Sequence, residues 1–248
     1  MASYDPHPDR RGEAAELVGA RSAAVREMFT RIARRYDLMN TVMTGGRHHA
    51  WRRLTARAVC AAPGGPVLDL ATGTADLALA IRRLDPRRAV IGADFAETML
   101  AEGARKLTAV GERGVRLLAA DALRLPFPDG AFACVTSAFL LRNLEDLPGG
   151  LSEMRRVTRP GGRVVSLEIT SPGVPAWGRL FDLYFNRVVP AVGALVAGDR
   201  QAYTYLPLSV ARFVSPAELT RVMERVGLRN VQCRRLALGT IALHVAEV

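Results

Sequence analysis

A chain of 248 residues, 49 % of them apolar, is long for one domain and short for two, which favours a single α/β domain with insertions. No stretch reaches the roughly 18 to 20 uninterrupted apolar residues of a membrane span, and residues 1–20 lack the apolar segment of a signal peptide; a cytoplasmic protein, at most peripheral at the inner face of the membrane, is expected. The formal charge of +10 invites a nucleic-acid partner. Yet Lys106 is the single lysine, and the arginines are scattered and not interleaved with aromatics. That argues against nucleic acid and leaves an anionic membrane surface as the better match.

Residues 1–22 are polar, carry Pro6 and Pro8 and show no lasting periodicity, as in a frayed tail. From Ser22 the pattern turns helical through Val25, Met28, Phe29, Ile32 and Ala33, and Tyr36–Asn40 is expected to break it. A second helix is expected from His48 or His49 through Cys60, ending before the Pro63-Gly64-Gly65-Pro66 run. His48 and His49 are neighbours in sequence and so do not face one another on a helix. Cys60, Cys134 and Cys233 have no CxxC or Cys/His spacing, so neither a metal nor a disulfide framework is expected.

An alternation of strands and helices follows. Val67–Leu70, Ala89–Ala93, Val115–Ala120, Ala133–Phe139 and Arg163–Ile169 read as strands, with helices through Arg83, over 96–110 and near Gly150–Val157. Residues 172–212 interrupt this rhythm with an apolar region (Trp177, Leu180, Phe181, Leu183, Tyr184, Phe185, Val188, Val189) and the polar-aromatic stretch Gln201–Ser209. A helix over Pro216–Val226 and closing strands Val231–Ala237 and Thr240–Glu247 complete a seven-stranded, doubly wound, Rossmann-like sheet with an antiparallel terminal strand. The domain is expected over 23–248, with helices in 23–62 and the 172–212 insertion forming a cap.

In such a sheet ligands bind beyond the carboxyl ends of the strands. Asp69, Gly73, Thr74, Asp76, Asp94 and Asp121 all lie there. A dinucleotide would need G-x-G-x-x-G around Gly73, but Ala71 and Asp76 occupy the other glycine positions, and Asp76 would repel a phosphate at the helix start. S-adenosylmethionine (SAM), a nucleoside without phosphate that carries a sulfonium and an ammonium, suits these acids better. Asp94 is placed for the ribose hydroxyls, Asp69 for the methionyl end, and Asp121 with Ala122 for the adenine edge.

With these residues the chain resembles the ubiquinone/menaquinone biosynthesis C-methyltransferase family over roughly residues 25–246. The resemblance rests on Phe29–Asn40, Val67–Asp76, Asp121–Pro128, Arg142-Asn143, Arg159–Gly162 and Tyr203–Leu206 with Ser209. It implies a class I SAM-dependent methyltransferase fold with SAM contacts at Thr74, Asp94, Asp121 and Ala122, and with Gly73, Phe95 and Met99 on the same side. The family's G-T-G-D appears here as Gly73-Thr74-Ala75-Asp76, where Ala75 is tolerable if its φ stays below zero. Leu140 replaces a glycine before the Arg-Asn pair and is expected nearer the acceptor, and Phe213-Val214 replaces a Phe-Pro.

The family reaction methylates a ring carbon of a reduced, prenylated hydroquinone, here most simply demethylmenaquinol. Arg142 and Asn143 would act over the transferred methyl, with Arg142 stabilising the developing phenolate; the competing reading pairs Arg142 with Glu145 or Asp146. Tyr36 and Asp37 would close the pocket or merely end a helix. Tyr203, Tyr205 and Ser209 would line the acceptor side or merely pack. The alternatives are a tailoring enzyme of the same fold acting on another small aromatic, quinolone or polyketide, and a non-catalytic SAM-binding component of a quinone-synthesis assembly. A homodimer is compatible with either.

Overall fold

The computed structural model describes residues 23–172, 181, 183–193 and 200–248. The expected tail 1–22, and Trp177 and Leu180 of the insertion, lie outside the described residues. Helix α1 (23–32) passes through a short 3-10 turn, Ala33–Arg35, into α2 (Tyr36–Thr44), so Tyr36–Asn40 does not break the helical run. The apolar stripe continues as Tyr36, Met39 and Met43, at helical spacing, and Met39 is wholly buried. Gly45 and Gly46, both left-handed with φ of 56° and 75°, turn the chain into α3 (Arg47–Cys60).

The βα alternation then proceeds as β1 (Val67–Leu70), α4 (Asp76–Leu84), β2 (Val90–Asp94), α5 (Glu97–Ala109), β3 (Val115–Ala119), β4 (Phe132–Ala138), α6 (Leu147–Val157) and β5 (Thr158–Ile169). β5 begins earlier than the sequence suggested, because Arg159–Gly162 run as strand rather than loop. In the insertion a π-turn (Tyr184–Val188) leads into α7 (Val189–Val192), and Gln201–Ser209 falls inside α8 (Arg200–Arg212). The chain ends with α9 (Pro216–Arg225), β6 (Arg229–Leu236) and β7 (Ile241–Glu247).

The sheet order is β3-β2-β1-β4-β5-β7-β6. The first five are parallel, and β7 runs antiparallel to both β5 and β6. All four residues of β1 are buried, as expected of a central parallel strand covered on both faces. One face, with Val67, Val165 and Leu167, packs on α3 and α4; the other, with Leu68, Val135 and Val164, packs on α6 and α9. The edge strand β6 exposes Arg229, Arg234 and Arg235, which discourages pairing with another sheet.

A third cluster (Met28, Ile32, Met39, Val189, Ala202, Tyr203) joins α1 and α2 to the described part of the insertion. Among the described residues no helix is long and apolar enough to cross a membrane.

Candidate active site

The order reverses at β1, which lies between β2 and β4, so the crevice beyond these strands is where a ligand is expected. β1 delivers the turn 71–75, in which Ala71, Gly73 and Ala75 all take left-handed backbone, with φ of 54°, 56° and 64°. Ala75 therefore departs from the negative φ expected of it. It is fully buried at the start of α4, where the alanine carries strain of order 1 kcal/mol that glycine would not. α5 crosses the turn closely, since a Cβ added at Gly103 would lie 3.3 Å from the Gly73 carbonyl oxygen.

Asp94 knits this turn to the next. The amides of Gly73 and Ala96 donate to its two carboxylate oxygens at 2.8 and 2.9 Å. A carboxylate has about four lone-pair sites, so the ligand side of Asp94 keeps acceptors to spare. Burial raises its carboxyl above the usual range, while the bonds from Ala96, Gly73 and Phe95 act in the other direction.

Asp94 opens onto a cavity of about 790 Å³ that Gly73, Phe95, Met99, Asp121 and Ala122 also line. Among the described residues its acids are Asp94, Asp121 and Glu145, and no arginine or lysine lines it. Glu145 has a buried carboxylate oxygen without a hydrogen-bond partner among the described residues. Such a site fits a cationic nucleoside and opposes a pyrophosphate. Leu140 lines this cavity and not the one that adjoins it.

Two residues expected to touch the donor lie behind the cavity wall. Asp69 is 1 % exposed, accepts a hydrogen bond from the Thr72 hydroxyl at 2.7 Å, and has its carboxyl pushed up to about 7 by burial. The Thr74 hydroxyl donates to Asp37 at 2.6 Å. Both face a small space of about 290 Å³ under the turn, because the left-handed residues lift the backbone over them. Asp37 lines neither large cavity and instead joins a latch: Lys106 Nζ lies 2.5 Å from Asp37 and 2.6 Å from Asp76, and Arg52 lies 3.7 Å from Asp76.

His48 and His49 prove to face each other, with ring centroids 3.9 Å apart, and ligand atoms of both and of Asp76 lie within 4.8 Å of one another. The rings tilt at 37° to each other, with His48 turned inward to Arg52, which donates to its Nδ1, and to Thr41, 3.2 Å from its Nε2. Burial, with Arg52 beside it, brings the His48 pKa down to about 4. With Arg52 and Lys106 seated on Asp76, the cluster reads as an ion-pair network rather than a cation site.

A second cavity of about 780 Å³ adjoins the first and shares Phe29, Tyr36 and Phe139 with it. Its lining is mostly apolar and aromatic, including Trp51, Phe185, Tyr203, Tyr205 and Leu206, with the Arg142 side chain entering from one wall. Arg142 and Asn143 sit on a 3-10 turn (Leu141–Asn143) after β4, and face the second and first cavities respectively. Phe139, at the shared wall, takes a left-handed φ of 66°, an arrangement that costs of order 1 kcal/mol or more and is common at functional sites. Its carbonyl receives hydrogen bonds from Arg142 and, at 3.2 Å, from Asn143. The Tyr205 hydroxyl donates to the Asn143 side-chain oxygen at 3.2 Å.

Arg142 does not pair with Glu145 or Asp146. Its partner is Glu168 on β5, 3.7 Å away. Ser209 is buried and bonded to the carbonyl of Leu206 in its own helix, so it lines neither large cavity. Glu168, Lys106, Trp51 and Phe139 are the site residues that the sequence reading missed.

Over residues 17–247 the chain matches the model of the ubiE/COQ5 methyltransferase family. It belongs to that family. Similar proteins include the demethylmenaquinone methyltransferase of Thermus thermophilus, 46 % identical over 220 residues, covering 89 % of this chain and 99 % of the relative. The demethylmenaquinone methyltransferase of Deinococcus radiodurans is 43 % identical and covers 90 % of this chain and 92 % of its own. Among solved structures, a SAM-dependent methyltransferase from Thermotoga maritima aligns with a TM-score of 0.61 at 18 % identity, over 89 % of this chain and 98 % of the other. The [4+2]-cyclase SpnF aligns with a TM-score of 0.67 at 17 % identity, over 91 % and 96 %. A family methyltransferase and a cyclase thus share one scaffold, and the reaction must be argued from the site.

Proposed function

We propose that this chain transfers a methyl group from SAM to a ring carbon of a prenylated hydroquinone, most simply converting demethylmenaquinol to menaquinol. The observation that carries this reading is the pair of cavities with a common wall, one acidic and, among the described residues, free of basic side chains, the other mostly apolar and lined by Arg142. SAM bound in the first would supply an electrophilic methyl group to whatever ring occupies the second. Asp94 would hold the ribose, Phe95 and Met99 the base, and Asp121 with Ala122 its edge.

The acceptor has to be the reduced form, because a quinone ring carbon is electrophilic and a hydroquinone carbon nucleophilic. A guanidinium already carries its proton and has no free lone pair, so Arg142 does not serve as the proton acceptor. Its guanidinium stabilises the phenolate whose charge feeds the attacking carbon. Tyr36 and Phe139, common to both cavities, fix the ring against the donor, and holding the reacting atoms at about 3 to 3.5 Å supplies much of the acceleration. Loss of the ring proton after transfer restores aromaticity.

A quinol with a long tail resides in a bilayer, so the enzyme meets it at the surface. Leu38 and Val42 on α2 are exposed, as are Leu183 and Val188, and Tyr184 beside Leu183 binds the Met43 carbonyl of α2 at 2.6 Å. Exposed Arg34 and Arg47 flank α2, and exposed Arg187 precedes Val188. These support peripheral contact with an anionic membrane next to the acceptor cavity.

Isotope-labelled SAM incubated with reduced demethylmenaquinone tests the reading. Label is expected on the ring carbon. Transfer to a tail-less aromatic alone would move the assignment to the small-aromatic alternative.

A further inference from the structure

Glu168 is the second-last residue of β5 and is completely buried. One of its oxygens accepts the Leu141 amide at 2.6 Å, which pins the turn that carries Arg142 and Asn143. The other oxygen lies 3.7 Å from an Arg142 terminal nitrogen, within ion-pair range but beyond a hydrogen bond, and has no hydrogen-bond partner among the described residues. Arg142 Nε has none either. The Arg142 side chain is only 7 % exposed and still lines the acceptor cavity. A buried ion pair left this incompletely bonded is unfavourable for folding. Two apolar side chains would pack there more stably, so the pair calls for a role other than stability.

We propose, resting on the hydroquinone reading above, that Glu168 is a positioning residue: together with the Phe139 carbonyl, which accepts from one terminal nitrogen, it aims the Arg142 guanidinium into the acceptor cavity and leaves its other donors for an oxygen gaining negative charge. The backbone anchor and the side-chain aim come from one carboxylate, so the turn and the guanidinium are set together. Neighbouring β5 residues fix the carboxylate itself, because Leu167 pairs with Ala138 and Leu243, and its carbonyl receives the Phe139 amide at 2.7 Å. The Phe139 carbonyl holds one terminal nitrogen of the guanidinium, while Arg142 Nε and the second Glu168 oxygen have no hydrogen-bond partner among the described residues and stay available when an acceptor oxygen arrives.

Glu168→Gln separates aim from anchor. The amide oxygen can still accept from Leu141, whereas the charge facing Arg142 is gone. Turnover of reduced demethylmenaquinone is expected to fall at least about 10-fold, with the SAM dissociation constant within about twofold of wild type. The loss should disappear in the Arg142→Lys background. The Arg142 Nε–H signal in nitrogen-15 NMR, assigned by its disappearance in Arg142→Lys, should shift in Glu168→Gln. If Glu168→Gln does not fold, Glu168→Asp keeps the charge, withdraws it by one methylene, and should show the same split at about threefold or more.

Wild-type turnover in Glu168→Gln, an unmoved Arg142 signal, or losses that multiply in the double variant would overturn the assignment. If wild type leaves demethylmenaquinol unmethylated while the Arg142 signal still shifts, the substrate reading fails and the Glu168–Arg142 assignment stands.

Discussion

The two cavities differ most in how they treat arginine. The chain has 33 arginines and one lysine, yet among the described residues the cavity beside Asp94, where the donor is proposed to bind, is lined by neither and contains three acids. The acceptor cavity, across the wall of Phe29, Tyr36 and Phe139, admits one arginine among aromatic and aliphatic side chains. A donor that arrives positive and an acceptor that turns negative need opposite surroundings. In a strongly basic protein the informative choice is where positive charge is withheld. Overall charge says little about this chemistry; its local absence says more.

The comparison breaks most visibly at Arg142. Arg142→Lys keeps a positive charge but loses the planar, forked donor. Turnover is expected to fall by about 10²-fold or more while SAM affinity, measured by calorimetry, stays at the wild-type value. Unchanged turnover would leave Arg142 as only the partner of Glu168.

On the donor side, Asp94→Ala should weaken SAM binding by about 1.5 to 3 kcal/mol, since it removes a charged acceptor from buried hydroxyls. It also frees the Gly73 and Ala96 amides, so a lower melting temperature should accompany the loss. NADH should not bind, and micromolar affinity for it would contradict the acidic, phosphate-repelling reading of this cavity.

A smaller effect concerns access to the second cavity. Anionic vesicles should raise activity on a tailed quinol by about fivefold, the effect of about 1 kcal/mol from one basic residue near the surface. Salt should erase the gain, because the Debye length is about 8 Å at physiological ionic strength. Equal responses from a tail-less acceptor would remove the membrane from the account.

Asp69 offers the finest test, with no change in turnover expected. Its folded pKa of about 7 stands above the ordinary 3.8, so its contribution to stability is fully present near pH 4 and is lost as pH rises toward 7. Relative to wild type, Asp69→Asn should therefore gain melting temperature between pH 4 and pH 7. A constant difference across thermal melts at those pH values would mean that burial does not raise the Asp69 carboxyl.

The strand ends were legible because an apolar run closed by an acid is a local pattern, as in Val67–Asp69 and Val90–Asp94. Glu168, near the end of the run from Val164, shares this signature, but Ile169 extends the apolar strand past it and hides the acid among core residues. The Asp37–Thr74 bond joins residues 37 apart, and the Lys106–Asp76 bond residues 30 apart. No local spacing announces either. The failure at Ala75 has another source: an alanine gives no sign that its neighbours force it into left-handed backbone. Tyr36–Asn40 misled because a change in stripe direction resembles a stop.

Lys106 is the chain's one side-chain amine, and it bridges Asp37 on α2 to Asp76 below the donor turn. The molecule thus contains its own reporter. Apart from the amino terminus, an amine-selective reagent has one address, and docked α2 supplies one of the two carboxylates that hold it. The rate of tagging at Lys106, followed by mass spectrometry, would time the opening of α2 with no engineered probe. Comparing that rate with and without SAM would tell whether the donor fastens the wall that the acceptor must enter past.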